Sequence, residues 1–389
     1  MGEGKLKAWE AAGLIDSETA ARIRAWEAEH ARPLALWAVF GIAALAIGLG
    51  ILSVVAANWD DIPGVVRLAV HFALMAGIAG YLWLKGDALA GRQPWLHEGI
   101  LFVFGALGMT FLGHVGQVYQ TSSPLWQPLA LWLALFAPVL LLRGLSWLTA
   151  AMVVVTLVFT GWNYALNLRG GLFERASIDT ADAILRALAV SAAVLLAGLG
   201  AWMRATSARE AFWIRLEQLA ATYGVGLASL VIIASAFEKW TVGDDAGETF
   251  VSLATGALIG AIAALLVWRG RGDRAGEAEA GVLLGAALSA LPAFVLSDSQ
   301  TAAAVLFMAL WAGIAFAALH AGWRGIFQIA VGVIAVRLIV FSFEWAGDLL
   351  LSGVGLIISG LLVLGIAFGA IRVSKEFAPD RGPDDGDAA

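Results

Sequence analysis

The chain has 389 residues, of which 60% are apolar and 14% charged, and its mean hydropathy is +0.83. An ordinary soluble domain carries roughly 25% charged residues, so these values exclude a soluble globular protein and a disordered one. With no Cys, a disulfide, a thiolate metal site and a redox dithiol are also excluded. The net charge of −6 and the absence of a basic stripe point away from nucleic acid. Five scattered His residues make no metal-ligand pattern. No metal and no cofactor are expected.

Residues 1–33 are charged and read as a cytoplasmic helical hairpin. Leu6 and Trp9 share a helical face, Gly13 is a helix stop, and Asp16 is an N-cap. Ala20, Ile23 and Trp26 then repeat at helical spacing.

Apolar runs of about 20 residues follow, each long enough to cross a ~30 Å hydrocarbon core. They fall near 34–57, 64–84, 97–118, 125–142, 145–166, 183–203, 216–237, 249–268, 280–297, 301–319, 323–343 and 349–371. The expected fold is all-α: a polytopic bundle of about 12 membrane helices over residues 34–372. The first run lies too far along the chain for a cleaved leader and reads as a retained helix. Residues 373–389, with Pro379, Pro383 and several Asp, read as a disordered acidic tail.

The basic residues alternate with the spans. Eighteen of the 24 Lys and Arg residues fall on the N-terminal side, against Arg169, Arg175 and Lys239 on the other. Arg67, Arg186 and Arg337 lie in or at the ends of spans. This asymmetry predicts cytoplasmic termini.

Polar residues inside a bilayer are costly, which makes them the candidate site. Here they gather towards the side poor in Arg and Lys. Asp60 and Asp61 stand in the turn Asn58–Pro63, and Arg67 and His71 follow at i, i+4. His114 and Gln117 share a face near the end of the third span, with Tyr119 just beyond. Asn163 ends the fifth span, and Arg337 sits inside the eleventh, where Glu238, Glu344 and Asp348 are the available counter-charges. The second and third spans run antiparallel, so Arg67, His71, His114 and Gln117 are expected to meet beneath the Asn58–Pro63 turn. Trp59, Trp162, Trp240 and Trp345 read as an interfacial belt. Gly86–Arg92 and Gly272–Gly276 read as charged loops.

Three stretches carry a resemblance: Trp9…Gly13-Leu14-Ile15, the Asn58–Pro63 turn, and Gly116-Gln117-Val118-Tyr119-Gln120-Thr121 followed by Leu131-Trp132 and Leu141-Leu142-Arg143. Together they resemble the bacterial membrane-protein family called domain of unknown function 2157, over about residues 5–145. The resemblance implies a bacterial inner-membrane location and makes a membrane-anchored partner a reasonable expectation. It carries over no catalytic residue.

No Walker loop, Ser-His-Asp order, zincin helix or paired in-membrane carboxylates appear, so no enzymatic activity is expected. Two functions remain. One is a non-catalytic scaffold or envelope-sensing protein with a polar periplasmic rim, in contact with the lipid bilayer and a membrane partner. The other is a transporter or channel-like protein for a small polar solute, with an outward vestibule. Spans eight to ten are almost wholly Ala, Leu, Gly and Val, which leaves no complete polar path and favours the scaffold.

Overall fold

The computed structural model describes residues 12–30, 62–166, 180–237, 246–345 and 353–377, with a few isolated positions between them. The first expected span (34–57), Asp60, Asp61 and the acidic tail lie outside the described residues. Met1–Arg67 and Leu68–Ala389 form two compact units. Among the described residues all regular structure is helical.

In the first unit, Gly13 adopts a left-handed φ of +70°. The Leu14 N–H reaches the Trp9 carbonyl at 3.0 Å, closing the preceding turn as glycine stops do. Helix α1 (Ser17–His30) then starts on Asp16, whose Oδ1 accepts from the Thr19 N–H at 2.7 Å. Bonds from the Thr19 hydroxyl and amide hold the Asp16 carboxyl below the ordinary carboxylate range. Leu6 and Ala20 are buried, while Trp9 is more than one-third exposed.

The remaining helices, in chain order, are α2 (Gly64–Arg92), α3 (Pro94–Val118), α4 (Trp126–Arg143), α5 (Trp147–Leu166), α6 (Thr180–Ser191), α7 (Leu195–Thr206) and α8 (Glu210–Ser235). They continue with α9 (Ala246–Arg271), α10 (Arg274–Leu288), α11 (Ala290–Val295), α12 (Gln300–Ala321), α13 (Arg324–Trp345) and α14 (Gly353–Phe377). A 3-10 turn, Ala192–Val194, joins α6 to α7 as one interrupted span. Among the described residues, ten segments, from Gly64–Arg92 to Arg324–Phe343, are long and apolar enough to cross a bilayer.

One expected loop is helical. α2 continues through Gly86–Arg92 instead of stopping at the end of the apolar run. Leu89 and Ala90 suit a helix. Asp87 forms an ion pair with Arg143 of α4, and Gly86 faces the His97 ring of α3. The helix stops at Arg92 because Pro94 pushes Gln93 out of helical geometry, to a φ of −142°, and then opens α3.

Lipid offers no hydrophobic drive for helices to associate, so close packing by small residues must supply it. α9 lies between α7 and α10 through Ala197, Ala201, Ala263, Ala264 and Ala280. The α3–α4 contact uses the complementary device, large rings on a glycine face. Trp132 is fully buried, donates its indole N–H to the Gly105 carbonyl at 2.8 Å, and stacks on Phe136. A Cβ on Gly105 would lie 2.6 Å from Met152 Sδ, and one on Gly108 would lie 2.3 Å from Phe136 Cζ.

Gly108→Leu should therefore lower the unfolding midpoint of the detergent-solubilised protein, by about 1–3 kcal/mol for an overpacked site. Gly113→Leu, where a Cβ meets nothing within 4 Å, is the matched control and should leave the midpoint unchanged.

Candidate functional site

Within the expected polar cluster, the structure joins two residues. His71 of α2 and His114 of α3 approach through their Nδ1 atoms at 3.1 Å. His71 Nε2 lies 3.0 Å from the Leu107 carbonyl, which can only accept, so Nε2 carries the His71 proton. That leaves Nδ1 of His71 as acceptor and makes His114 Nδ1 the donor. Phe111 closes the pair edge-on, with ring centroids 5.4 Å apart. Two imidazoles inside the span thus satisfy each other and a backbone carbonyl.

The other candidates do not complete a pocket. Gln117 and Tyr119 are exposed. Asn163 donates back to its own helix, to the Phe159 carbonyl at 2.9 Å. Arg337 is partly buried on α13, whose main neighbours are α12 and α14. The side chains of Glu238, Glu344 and Asp348 lie outside the described residues, and Arg67 closes the first unit. Trp162 is more than a belt residue: its indole N–H donates to the Tyr223 hydroxyl at 3.0 Å, which donates to the Val190 carbonyl at 2.8 Å.

The denser polar chemistry lies at the opposite, Arg-rich ends of the helices, and the sequence reading missed it. His97 and Glu98 on the first turn of α3 are both buried. His97 Nε2 lies 3.1 Å from the Arg143 carbonyl. The Glu98 carboxylate accepts from the Leu145 N–H, the Ser146 hydroxyl and, at 3.0 Å, the Thr149 hydroxyl. From the other side, Arg209 donates to the Gly144 and Leu141 carbonyls, both at 2.8 Å, and Arg215 donates to the Leu145 carbonyl. The Arg209 guanidinium also lies over the Phe212 and Trp213 rings. Burial, reinforced by the nearby Arg143 charge, lowers its pKa, and Glu98 opposes that shift. The short α4–α5 turn is therefore gripped by a carboxylate on its donors and by guanidinium groups on its acceptors. This matches the partial charges of the two helix ends.

A second assembly joins α7, α8, α9 and α10. Glu217, 1% exposed, bonds Arg204 at 3.3 Å and Arg271 at 3.1 Å. Arg271 also bonds Glu279 at 2.9 Å and takes Asp273 in a two-pronged pair at 3.1 and 3.2 Å. Asp273 caps α10 through the Gly276 N–H at 2.6 Å. Partial burial pushes the Asp273 carboxyl up, but the bonds from Arg271 and Gly276 outweigh it and hold the group below its ordinary value. The Gly272–Gly276 segment is thus a structural clasp.

Between α6, α8, α9 and α10 lies a cavity of about 260 Å³, apolar except for Arg186, Trp162, Ser191 and Ser252. Among the described residues no group of three or more His, Asp or Glu could hold a metal ion.

Stacked apolar helices, in-span polar pairs and clasped ends define a polytopic helical membrane protein. Residues 7–149 match the model of the family described as Predicted membrane protein (DUF2157), the family that the opening third of the sequence resembles. No curated protein and no solved structure matches the chain. The matched stretch contains the His71–His114 pair and the whole Glu98 hydrogen-bond set, whose last member, Thr149, is the last matched residue.

Glu98→Ala strands a buried N–H and two hydroxyls, each bonded to a charged group. It should lower the unfolding midpoint strongly, by about 3 kcal/mol or more at ~1.5–3 kcal/mol per such bond. Glu98→Gln keeps an acceptor and should lose less. His114→Ala removes one neutral bond and should cost only about 1 kcal/mol. All three are read from thermal unfolding in one detergent. A larger loss for His114→Ala than for Glu98→Ala would reverse this ranking.

Proposed function

We propose that the protein is a non-catalytic scaffold or envelope-sensing protein of the bacterial inner membrane. On this reading it has about 12 spans, cytoplasmic termini and a cytoplasmic N-terminal hairpin. The 18-to-3 bias of basic residues supports the orientation. The apolar stretch Ser359–Val373 of α14 and the hydropathy of residues 34–57 support two spans beyond the ten. The polar end would meet a periplasmic partner or lipid headgroups, and the hairpin would report to the cytoplasm.

One observation carries the choice of scaffold over transporter. The Arg-rich ends of α7, α8, α9 and α10 are locked by the Glu217–Arg271–Glu279 network, and between those ends and the cavity the helices meet through alanine. A polar solute would find neither hydration nor a movable gate along that route. The transporter reading draws its support from the polar residues at one end alone.

Proteoliposomes separate the two readings. Glycerol, sorbitol and potassium should enter vesicles containing the protein no faster than protein-free vesicles, and saturable entry of any of them would establish the transporter. Reporter fusions after residues 60, 122 and 244 should all read periplasmic. A cytoplasmic signal at two of them would end the 12-span arrangement.

A further inference from the structure

We propose that the cavity beside Arg186 is a binding site for an amphiphile with an anionic head and an acyl chain. This goes beyond the scaffold reading and does not depend on it. The first observation is a void where helices ought to touch. Glycine in a membrane helix ordinarily lets a neighbour's backbone come close, as at Gly161 against the Ala189 carbonyl and at Gly260 against Ala287. Gly256 does not serve this purpose. A Cβ there would meet only the Ser191 hydroxyl, at 3.4 Å, and the cavity occupies the space beside it. Its volume, about 260 Å³, is near the lower end of ligand sites, roughly 300 Å³ and above.

The second observation is a charge at the rim. Arg186 is 8% exposed and borders the cavity. Its Nη2 bonds Asp182 at 3.0 Å, but among the described residues its buried Nε has no hydrogen-bond partner. Among the described residues, the cavity lining includes no Asp or Glu. A guanidinium presents a planar fork of donors that suits carboxylate and phosphate.

Depth completes the match. Arg186 and Ser252 line the rim, one and a half to two turns from the Arg-poor ends of α6 and α9. Val194 and Gly260 line the floor. Eight helical residues separate rim from floor on each helix, about 12 Å at ~1.5 Å per residue. That approaches one leaflet of a ~30 Å hydrocarbon core. A cation at interface depth above an apolar slot one leaflet deep fits a lipid head above its chain. The same chemistry is offered by a free fatty carboxylate and by a bilayer phospholipid.

The chain has no Cys, so Gly256→Cys introduces a unique thiol at the cavity wall. Alkylation of the full-length variant by N-ethylmaleimide is followed in a neutral maltoside detergent with added oleate, dioleoylphosphatidylglycerol or uncharged monoolein. The anionic lipids should slow alkylation severalfold and monoolein should not. Protection by oleate alone identifies a free carboxylate ligand, by phosphatidylglycerol alone a bilayer phospholipid, and by both the shared anionic head. Adding Arg186→Gln should raise the half-protecting concentration about tenfold, as expected for one lost charge-assisted bond. Arg186→Lys should keep most of the protection. Equal protection by monoolein, or none by either anionic lipid, overturns the proposal. That comparison stands in the unaltered Arg186 background even if Arg186→Gln fails to fold.

Discussion

The turn between α4 and α5 poses the constraint on which the bundle rests. A bilayer cannot hydrate a bare carbonyl or amide, so each helix end must be satisfied by the protein or reach water. At Gly144–Ser146 the chain reverses in three residues, against α3 and α8. Glu98 from α3 takes the donors, and Arg209 and Arg215, at the start of α8, take the acceptors. Gly144 is required there because a Cβ would lie 2.6 Å from both the Leu140 carbonyl and the Thr149 hydroxyl. Four helices are thereby fixed in register by groups that belong to none of their apolar faces.

The same division of labour recurs one layer on. Alanine and glycine bring α7, α9 and α10 close but give little direction, since one small residue packs much like another. The Glu217–Arg271–Glu279 network supplies the direction. A carboxylate 1% exposed is costly away from water, and that cost is offset only in the arrangement that brings both Arg204 and Arg271 to it. Small residues set how near the helices come, and buried ions set which way they face.

This division also explains what the sequence disclosed. Spans are written as runs of apolar residues, and the ten found run close to their expected positions. The left-handed Gly13 and the Asp16 cap were legible because both signals are local. The His71–His114 contact followed from antiparallel neighbours at similar depth. The clasps did not follow, because each is assembled from single charges far apart in the chain. Helices α3, α8 and α10 begin three to six residues earlier than hydropathy suggested, so Glu98, Glu217 and Glu279 fell at the edges of the expected spans. The available signal was the rarity of acidic residues within such segments. The α6–α7 break gave no warning, because Ala192-Ala193-Val194 is as apolar as its surroundings.

The Glu98 clasp has a consequence in time as well as in space. A ribosome delivers α3 first, then the α4–α5 hairpin, and α8 only afterwards. At ~5–20 residues per second, Glu98 precedes Arg215 by on the order of ten seconds. During that interval the turn can be held by its donors alone, with the carbonyls of Leu141, Gly144 and Leu145 still waiting for their guanidinium partners. Helices α3, α4 and α5 are thus a nascent subassembly completed only by a helix from the other half of the chain. A turn made early in synthesis is among the last parts of these four helices to become rigid.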